Sequence, residues 1–243
     1  MIALYHGGPH GHSASVLITL AEKGLAFAER KLDLGAFEQH GDAFLAVNPS
    51  GQVPVLVEDD RTLTEAFFIL LYLDERYPDP PLGGADPRAR YAVQKWGKYA
   101  ETHIAPNLAI LAWTTHGRPP DAQAVGGFDR LPPERRALWE QAAAGFAESE
   151  IEAARAALDK AVLRIVEDLT EGAGWLAGNG WSLADIAVFP HVARFASLGL
   201  ALPGSVEDWL GRVLSRPAVR QALGPYGIAA TPVVMGPERG RWG

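Results

Sequence analysis

The chain has 243 residues, of which 48% are hydrophobic and 21% charged, so it can bury the core of one large domain or two modest ones. Its 22 basic and 29 acidic side chains give a net charge of −7, which argues against a nucleic-acid-binding protein. No apolar run approaches the ~20 residues that cross a bilayer. The N-terminus carries no basic segment followed by a long apolar one, so we expect a cytoplasmic protein without a membrane span.

Cysteine is absent from the sequence. This excludes disulfides, thiolate metal ligands and a cysteine nucleophile. Any sulfur chemistry that the protein performs must therefore use a thiol supplied by a ligand.

The first 79 residues alternate strand-like and helix-like segments. The patterns predict strands at 2–5, 27–34, 53–57 and 62–63, helices at 13–24 and 66–77, and a loosely helical connection at 37–49. A βαβ unit followed by a hairpin and a helix places parallel and antiparallel strands in one sheet. We therefore expect a small domain with a mixed sheet.

The composition changes after a linker at 80–88 that is rich in proline and glycine. Residues 89–228 carry alanine-rich helical patterns without convincing strands. Within them, an apolar stripe at helical spacing must pack on other helices: Leu158, Val162, Ile165 and Leu169. A polar break at 118–133 predicts a loop between helices, and 229–243 a tail with little structure. The fold class is thus an α/β domain followed by an all-α domain.

A glycine-rich segment at 6–13 joins the first predicted strand to the first predicted helix. Ser13 falls at the predicted N-cap, where the free N–H groups of a helix favour an anion. Taken alone, the serine favours the simpler interpretation that it only caps its own helix. His6, His10 and His12 have no carboxylate or cysteine partner at ligand spacing, so we predict no metal site.

Two further segments have the chemistry of a peptide-binding site. Pro54 at the mouth of a strand leaves the backbone of Val53 available either to a peptide-like ligand or simply to solvent at a sheet edge. Glu65 begins the next helix, where it either complements the helix dipole or takes an ammonium group. By contrast, Ser182 and Asp185 have capping-box spacing, so we interpret them as a folding element with a buried, hydrogen-bonded Asp185.

The order of these segments resembles the glutathione transferase superfamily along almost the whole chain. The resemblance rests on a strand, a loop with Ser13 near the first helix, the segments NPSGQVP, TE and YLDERYP, the linker, and WSLADI in the helical domain. The segment FEQHGDAFLAVNPSGQVPVL is similar to the bacterial β-etherase branch, whose members cleave β-aryl ethers of lignin-derived aromatics. The resemblance implies a thioredoxin-like, glutathione-binding domain at 1–79 and a substrate-binding helical domain at 89–228.

The resemblance also implies which residues bind glutathione. Pro54 would be cis and Val53 would pair with the cysteinyl part, while Glu65 and the N–H groups beside it would hold the γ-glutamyl end. Ala66 stands where many members have serine, so one contact to that end is absent. The glycyl carboxylate and nearby backbone would be reached by a further set of side chains: Gln39 or His40, together with Gln52.

By the same resemblance, Ser13 would direct its hydroxyl at the glutathione sulfur. A thiol titrates near ~8.5, and lowering that pKa by ~2 units takes ~2.7 kcal/mol. A helix N-terminus supplies ~0.3–2 kcal/mol and a hydrogen bond to a charged group ~1.5–3 kcal/mol, which suffices without a base. Tyr5 is a less favourable hydroxyl because it lies within a strand. His12 is the second catalytic candidate, as a donor or acid toward a phenoxide, or else it faces solvent.

An aromatic electrophile would bind between the two domains. The predicted substrate-binding residues come from the helical domain, where core packing is the alternative role for most of them: Trp113, His116 and Trp139. The expected reaction is attack of the thiolate on the carbon that bears an aryloxy group, which yields a thioether and a phenol.

The sequence also allows other functions. A generic glutathione transferase acting on hydrophobic electrophiles and a non-catalytic binding protein of the same fold are the main alternatives. A glutathione-dependent isomerase is less favoured, because such enzymes pair their serine with a neighbouring serine and an arginine, whereas the first arginine here is Arg30. The resemblance also implies a homodimer in which one subunit's first domain meets the other's helical domain.

Overall fold

The computed structural model describes residues 1–116, 127–178 and 180–227, and of His116 and Gly127 it describes the backbone only. The predicted loop at 118–133 lies largely outside the described residues, and the predicted tail at 229–243 lies wholly outside them. The strands of the described part are β1 (Ile2–His6), β2 (Ala28–Lys31), β3 (Val55–Glu58) and β4 (Arg61–Leu63). The helices that accompany this sheet are α1 (Gly11–Glu22), α2 (Asp42–Leu45) and α3 (Ala66–Arg76).

A second, helical region follows from Pro87 onward. Its described helices are α4 (Pro87–Tyr99), α5 (Ala105–His116), α6 (Pro133–Ala144), α7 (Glu148–Glu171), α8 (Leu183–Val192), α9 (Gly204–Ser215) and α10 (Pro217–Leu223). A π-helical turn, Ala100–Ile104, joins α4 to α5. The fold class predicted from the sequence is confirmed: a mixed-sheet domain precedes an all-helical one.

The described strands form one sheet in the order β2-β1-β3-β4. β1 runs parallel to β2 with Ala3 opposite Ala28, and antiparallel to β3 with Leu4 opposite Leu56. The β3–β4 hairpin turns at Asp59, whose φ is +56°. Two strands are shorter than predicted, since β2 is a largely exposed edge strand and β3 starts after Pro54, which has no N–H for the ladder.

One continuous core joins the two regions. Leu17 and Leu20 of α1 belong to the same cluster of buried side chains as Trp96 of α4 and Trp209 of α9. All members of the predicted apolar stripe are buried in α7, which confirms that this helix packs on others: Leu158, Val162, Ile165 and Leu169. The shared core fixes the orientation of α1 relative to the helical region. A cleft opens at the N-terminus of α1.

The start of α8 confirms the predicted capping box at Ser182 and Asp185. Asp185 is fully buried, and its carboxylate accepts hydrogen bonds from the backbone of Leu176, from the backbone and hydroxyl of Ser182, and from the indole of Trp209. A buried carboxylate is tolerated only when its oxygens are satisfied in this way. Asp185 therefore stabilises the fold by joining α8 to α9 and to the loop before it.

We expect Asp185→Asn to lower the free energy of unfolding by about 2–4 kcal/mol, because an NH₂ group then faces N–H donors in a buried site. Denaturant unfolding followed by circular dichroism measures the loss. Asp208→Asn, at an exposed position of α9, is the matched control and should stay within ~0.5 kcal/mol of the wild type. Equal stability of the two variants would show that the carboxylate network contributes nothing specific.

Candidate functional site

A cleft of about 460 Å³ lies between the sheet domain and the helical region. The predicted site residues that line it are His12, Gln39, Gln52, Val53, Pro54, Glu65 and Ala66. The helical region adds polar residues that the sequence interpretation did not include: Lys98, Glu101, Arg135, His191 and Arg194. The cleft is thus lined by both regions and has charged groups at several points.

The first turn of α1 faces this cleft through Gly11 and His12. The helix begins two residues before Ser13, because His10 is extended and Gly11 turns the chain with a φ of +50°. The prediction that Ser13 is the N-cap is therefore wrong: Ser13 is the third residue of the helix and only 5% exposed. The first backbone hydrogen bond of this helix runs from the Ala14 N–H to the His10 carbonyl at 3.3 Å. The backbone N–H groups that precede Ala14 therefore lie in the same turn as the Ser13 hydroxyl.

Two histidine rings meet beside this turn. His191 of α8 packs edge-on to His12, with 4.7 Å between ring centroids. Burial lowers the pKa of His12 to about 4. Burial also lowers the pKa of His191 well below its ordinary value, and nearby His12 and Arg194 lower it further. Both imidazoles are therefore expected to be neutral near pH 7.

The Val53–Pro54 peptide bond is cis, as the family resemblance implied. Both residues line the cleft, and the ladder between β3 and β1 ends at the pair Val55 and Tyr5. The backbone of Val53 therefore lies just beyond the sheet, at the wall of the cleft. Strand addition of a peptide-like ligand uses a backbone segment in such a position.

The N-terminus of α3 forms a second end of the cleft. Glu65 precedes this helix with a φ of +63°, a left-handed conformation that costs a non-glycine residue energy and is often found at ligand-binding positions. Glu101, on the π-helical turn, accepts a hydrogen bond from the Phe67 N–H at 3.2 Å. Burial, and then the charge of Glu65, raises the pKa of Glu101. Two carboxyl groups beside a helix N-terminus suit a ligand that carries both an ammonium and a carboxylate, although the Phe67 N–H of this terminus already donates to Glu101.

Basic and amide side chains gather at the remaining end. Gln39 and Arg135 line the cleft, and among the described residues neither the Gln39 Oε1 nor the Arg135 Nε has a hydrogen-bond partner. His40 lies behind them, 7% exposed, and burial followed by the Arg135 guanidinium lowers its pKa to about 4. A largely desolvated guanidinium without a paired carboxylate is energetically costly. An anionic ligand group would provide that partner.

Two of the predicted substrate-binding residues, Trp113 and Trp139, are not among the described residues that line the cleft. Trp139 packs with Phe128 and Leu131 in a small cluster beside it, and the His40 ring lies 5.5 Å from the Trp139 ring. Trp113 contacts the same cluster, and its indole donates to the Ala142 carbonyl at 2.6 Å. The side chain of His116 lies outside the described residues. Tyr5 packs on Phe44 and is not among the residues that line the cleft.

The residues that were missed gave only weak signals in the sequence. His191 is a single polar residue in the apolar run IAVFPHV, and Arg135 is one of two adjacent arginines. Among the described residues, no group of three or more His, Cys, Asp and Glu side chains is arranged to hold a metal ion. The search for membrane-spanning helices found no candidate in the described part of the chain.

Comparison with known proteins assigns the family. Residues 1–75 match the N-terminal domain model of the glutathione S-transferases, and residues 132–221 match the C-terminal domain model. The chain therefore belongs to the glutathione S-transferase family, whose co-substrate is glutathione.

Individual relatives show which known proteins of this fold the chain is similar to. The chain is 31% identical to the protein LigF of Sphingobium sp. (strain NBRC 103272 / SYK-6), over 90% of this chain and 92% of that protein. The crystal structure of β-etherase LigF from Sphingobium sp. strain SYK-6 matches with a TM-score of 0.86 at 28% identity, over 92% of this chain and 99% of that one. A glutathione transferase homologue from Sulfitobacter with bound glutathione shares the fold, with a TM-score of 0.72 at 22% identity over 94% of this chain and 99% of that one.

Proposed function

We propose that the protein is a glutathione-dependent transferase that cleaves β-aryl ethers of lignin-derived aromatics, giving a glutathione thioether and a phenol. The observation that carries this proposal is the first turn of α1, which lines a cleft shared by both domains through Gly11 and His12, with Ser13 the next residue of that turn. The likeness to the β-etherase LigF supports the choice of ether substrates.

The cleft accommodates glutathione in one direction. The γ-glutamyl end, which carries an ammonium and a carboxylate, suits Glu65, Glu101 and the first N–H groups of α3. The cysteinyl backbone pairs with Val53 before the sheet begins. The glycyl carboxylate then reaches the opposite end, where Arg135 supplies the positive charge and Gln39 and Gln52 supply amide groups.

This placement brings the sulfur to the first turn of α1. A thiolate there is stabilised by the helix N-terminus by ~0.3–2 kcal/mol and by the Ser13 hydroxyl by ~1.5–3 kcal/mol, enough to lower its pKa by ~2 units. His12 lies in this turn with its pKa lowered by burial to about 4, so it serves as a neutral hydrogen-bond donor. No base is needed, because the thiolate is the nucleophile once it has formed.

The electrophile binds against the helical region. Ala105, Pro106, Leu108 and Ala109 give this wall of the cleft small apolar surfaces. A thiolate, an aligned carbon and a site shielded from water are what such a displacement mainly needs. Trp113 and Trp139 support the wall from the cluster behind it and have no direct contact with the ligand.

A second function deserves testing because the two tryptophans stand outside the cleft lining. Among the described residues, no tryptophan, tyrosine or phenylalanine lines the cleft, so that part of it selects weakly for aromatic ethers. Conjugation of glutathione to hydrophobic electrophiles in general is then the alternative activity of the same site.

Product analysis separates the two functions. The protein and glutathione are incubated with β-aryl ethers and with halide-bearing electrophiles, and thioethers and phenols are identified by mass spectrometry. Phenol release from the ethers supports the proposal, whereas conjugation of halides alone supports the alternative.

In either case we expect Ser13→Ala to lower turnover at least ~10-fold, since a hydrogen bond to the charged sulfur is lost. Ser205→Ala, at an exposed position of α9, is the control and should match the wild type.

Arg135 offers a test of how glutathione is oriented. Arg135→Met should raise the KM for glutathione ~10–100-fold with a smaller change in kcat, because a charge-assisted bond to the glycyl carboxylate is lost. Arg136→Met is the matched control, since the neighbouring Arg136 instead pairs with Asp129 and Glu140. Steady-state kinetics at varied glutathione concentration gives both constants, and an unchanged KM in Arg135→Met would reject this orientation.

We also infer that the protein is a homodimer. Each domain has a helix with a large, exposed apolar side chain: Phe68 on α3 is 65% exposed, and Tyr91 on α4 is 68% exposed. Burial of such groups is a main source of association energy. Analytical ultracentrifugation should find a dimer that Phe68→Ser weakens, while Leu163→Ser, at a comparably exposed position of α7, should leave it intact. A monomeric wild type would contradict the inference.

A further inference from the structure

His191 lies in the wall of the cleft, against the first turn of α1. Its helix, α8, is fastened to α1 by the Ser15 hydroxyl, which donates to the Ile186 carbonyl at 3.0 Å. A Cβ added at Gly11 would lie 3.8 Å from the His191 Cε1, so the ring packs directly on the start of α1. The His12 ring completes the contact at 4.7 Å. His191 therefore stands next to the first turn of α1, where the proposed function places the thiolate.

The His191 ring is buried but incompletely hydrogen-bonded. The residue is only 3% exposed, and within the described residues its Nε2 has no hydrogen-bond partner. Leaving a buried polar atom without a partner costs about 1–3 kcal/mol. Since the residue also lines the cleft, a ligand is a candidate for the missing partner.

The groups that face His191 define which ligand atom suits it. His12 is neutral near pH 7, and Arg194, one turn beyond His191, also lines the cleft, and its charge acts on the His191 ring. No carboxylate is among the groups that shift the pKa of His191. This surrounding favours an oxygen that gains negative charge, and the neutral tautomer with its proton on Nε2 presents a donor to such an atom.

We propose that His191 donates a hydrogen bond from Nε2 to the departing aryloxide oxygen of the electrophile, with Arg194 supplying positive charge nearby. This assignment rests on the proposed ether cleavage. It makes His191 a catalytic residue, since it touches an atom whose bonding changes.

The displacement moves negative charge from sulfur to oxygen. The thiolate forms a bond to the ether carbon, the bond from that carbon to oxygen breaks, and its electron pair stays on the aryloxide. A neutral imidazole keeps its proton, so His191 stabilises the aryloxide without protonating it, and water protonates the phenolate after release. The first turn of α1 stabilises the charge at the start of the reaction, and His191 with Arg194 stabilises it at the end.

The test compares two ethers that differ only in the phenol they release, one releasing the acidic 4-nitrophenol and one the weakly acidic 4-methoxyphenol. In His191→Phe, kcat/KM should fall ~100-fold for the 4-methoxyphenyl ether and less than ~5-fold for the 4-nitrophenyl ether, because only the poor leaving group needs the donor. His191→Gln, which keeps an N–H donor, should recover part of the loss. The KM for glutathione should stay within ~3-fold of the wild-type value in all variants.

The outcomes are distinguishable. Equal losses for both ethers in His191→Phe would overturn the role of His191 while leaving ether cleavage in place. If the wild type cleaves neither ether but conjugates halides, both the proposed function and this role fail. Should His191→Phe not fold, as judged by circular dichroism, Arg194→Met provides the same comparison: a larger loss for the 4-methoxyphenyl ether supports the proposal, and equal losses overturn it.

Discussion

The position of the N-terminus of α1 is the constraint on which the site depends. Polar contacts hold this helix near both of its ends. Near its start, Ser15 is bonded to the backbone of α8. At its far end, the buried Lys23 ammonium donates to Asp74 of α3 and to the Pro80 carbonyl, both at 2.5 Å. Because these contacts involve both domains and the segment between them, the free N–H groups of the first turn are fixed at the cleft before any ligand binds, which lowers the cost of ordering the site.

The cleft contains basic side chains although the protein carries a net negative charge. The chain as a whole is acidic at −7, yet Arg135 and Arg194 both line the cleft. Burial lowers the pKa of each of these guanidinium groups, although both keep their charge near neutral pH. The carboxyl groups of Glu65 and Glu101 lie at the end where an ammonium is expected. The cleft therefore presents both signs of charge to a ligand.

Structural features that depend on short-range spacing were predictable from the sequence. The capping box at Ser182 and Asp185, the apolar stripe of α7 and the mixed sheet each follow from spacing within a few turns or strands. The start of α1 was misplaced because Gly11, with a positive φ, turns the chain before the serine that has the better capping propensity. The role of Ser13 remains a prediction.

The contribution of the helical region to the cleft was not predictable from one sequence. Arg135, His191 and Glu101 reach the cleft through the packing of α6, α8 and the π-helical turn on the first domain, and no local pattern encodes that packing. The two tryptophans were expected to contact a ligand because large aromatic side chains often do so. They instead form a small core with Phe128, where they bury apolar surface.

The most direct test of the account is the pKa of the glutathione thiol when it is bound to the protein, measured by the ultraviolet absorbance of the thiolate during a pH titration. Stabilisation by the first turn of α1 and by Ser13 predicts a value ~2 units below the ~8.5 of a free thiol. A bound thiol that still titrates near ~8.5 would contradict the account, because the helix terminus would then exert no effect on the sulfur.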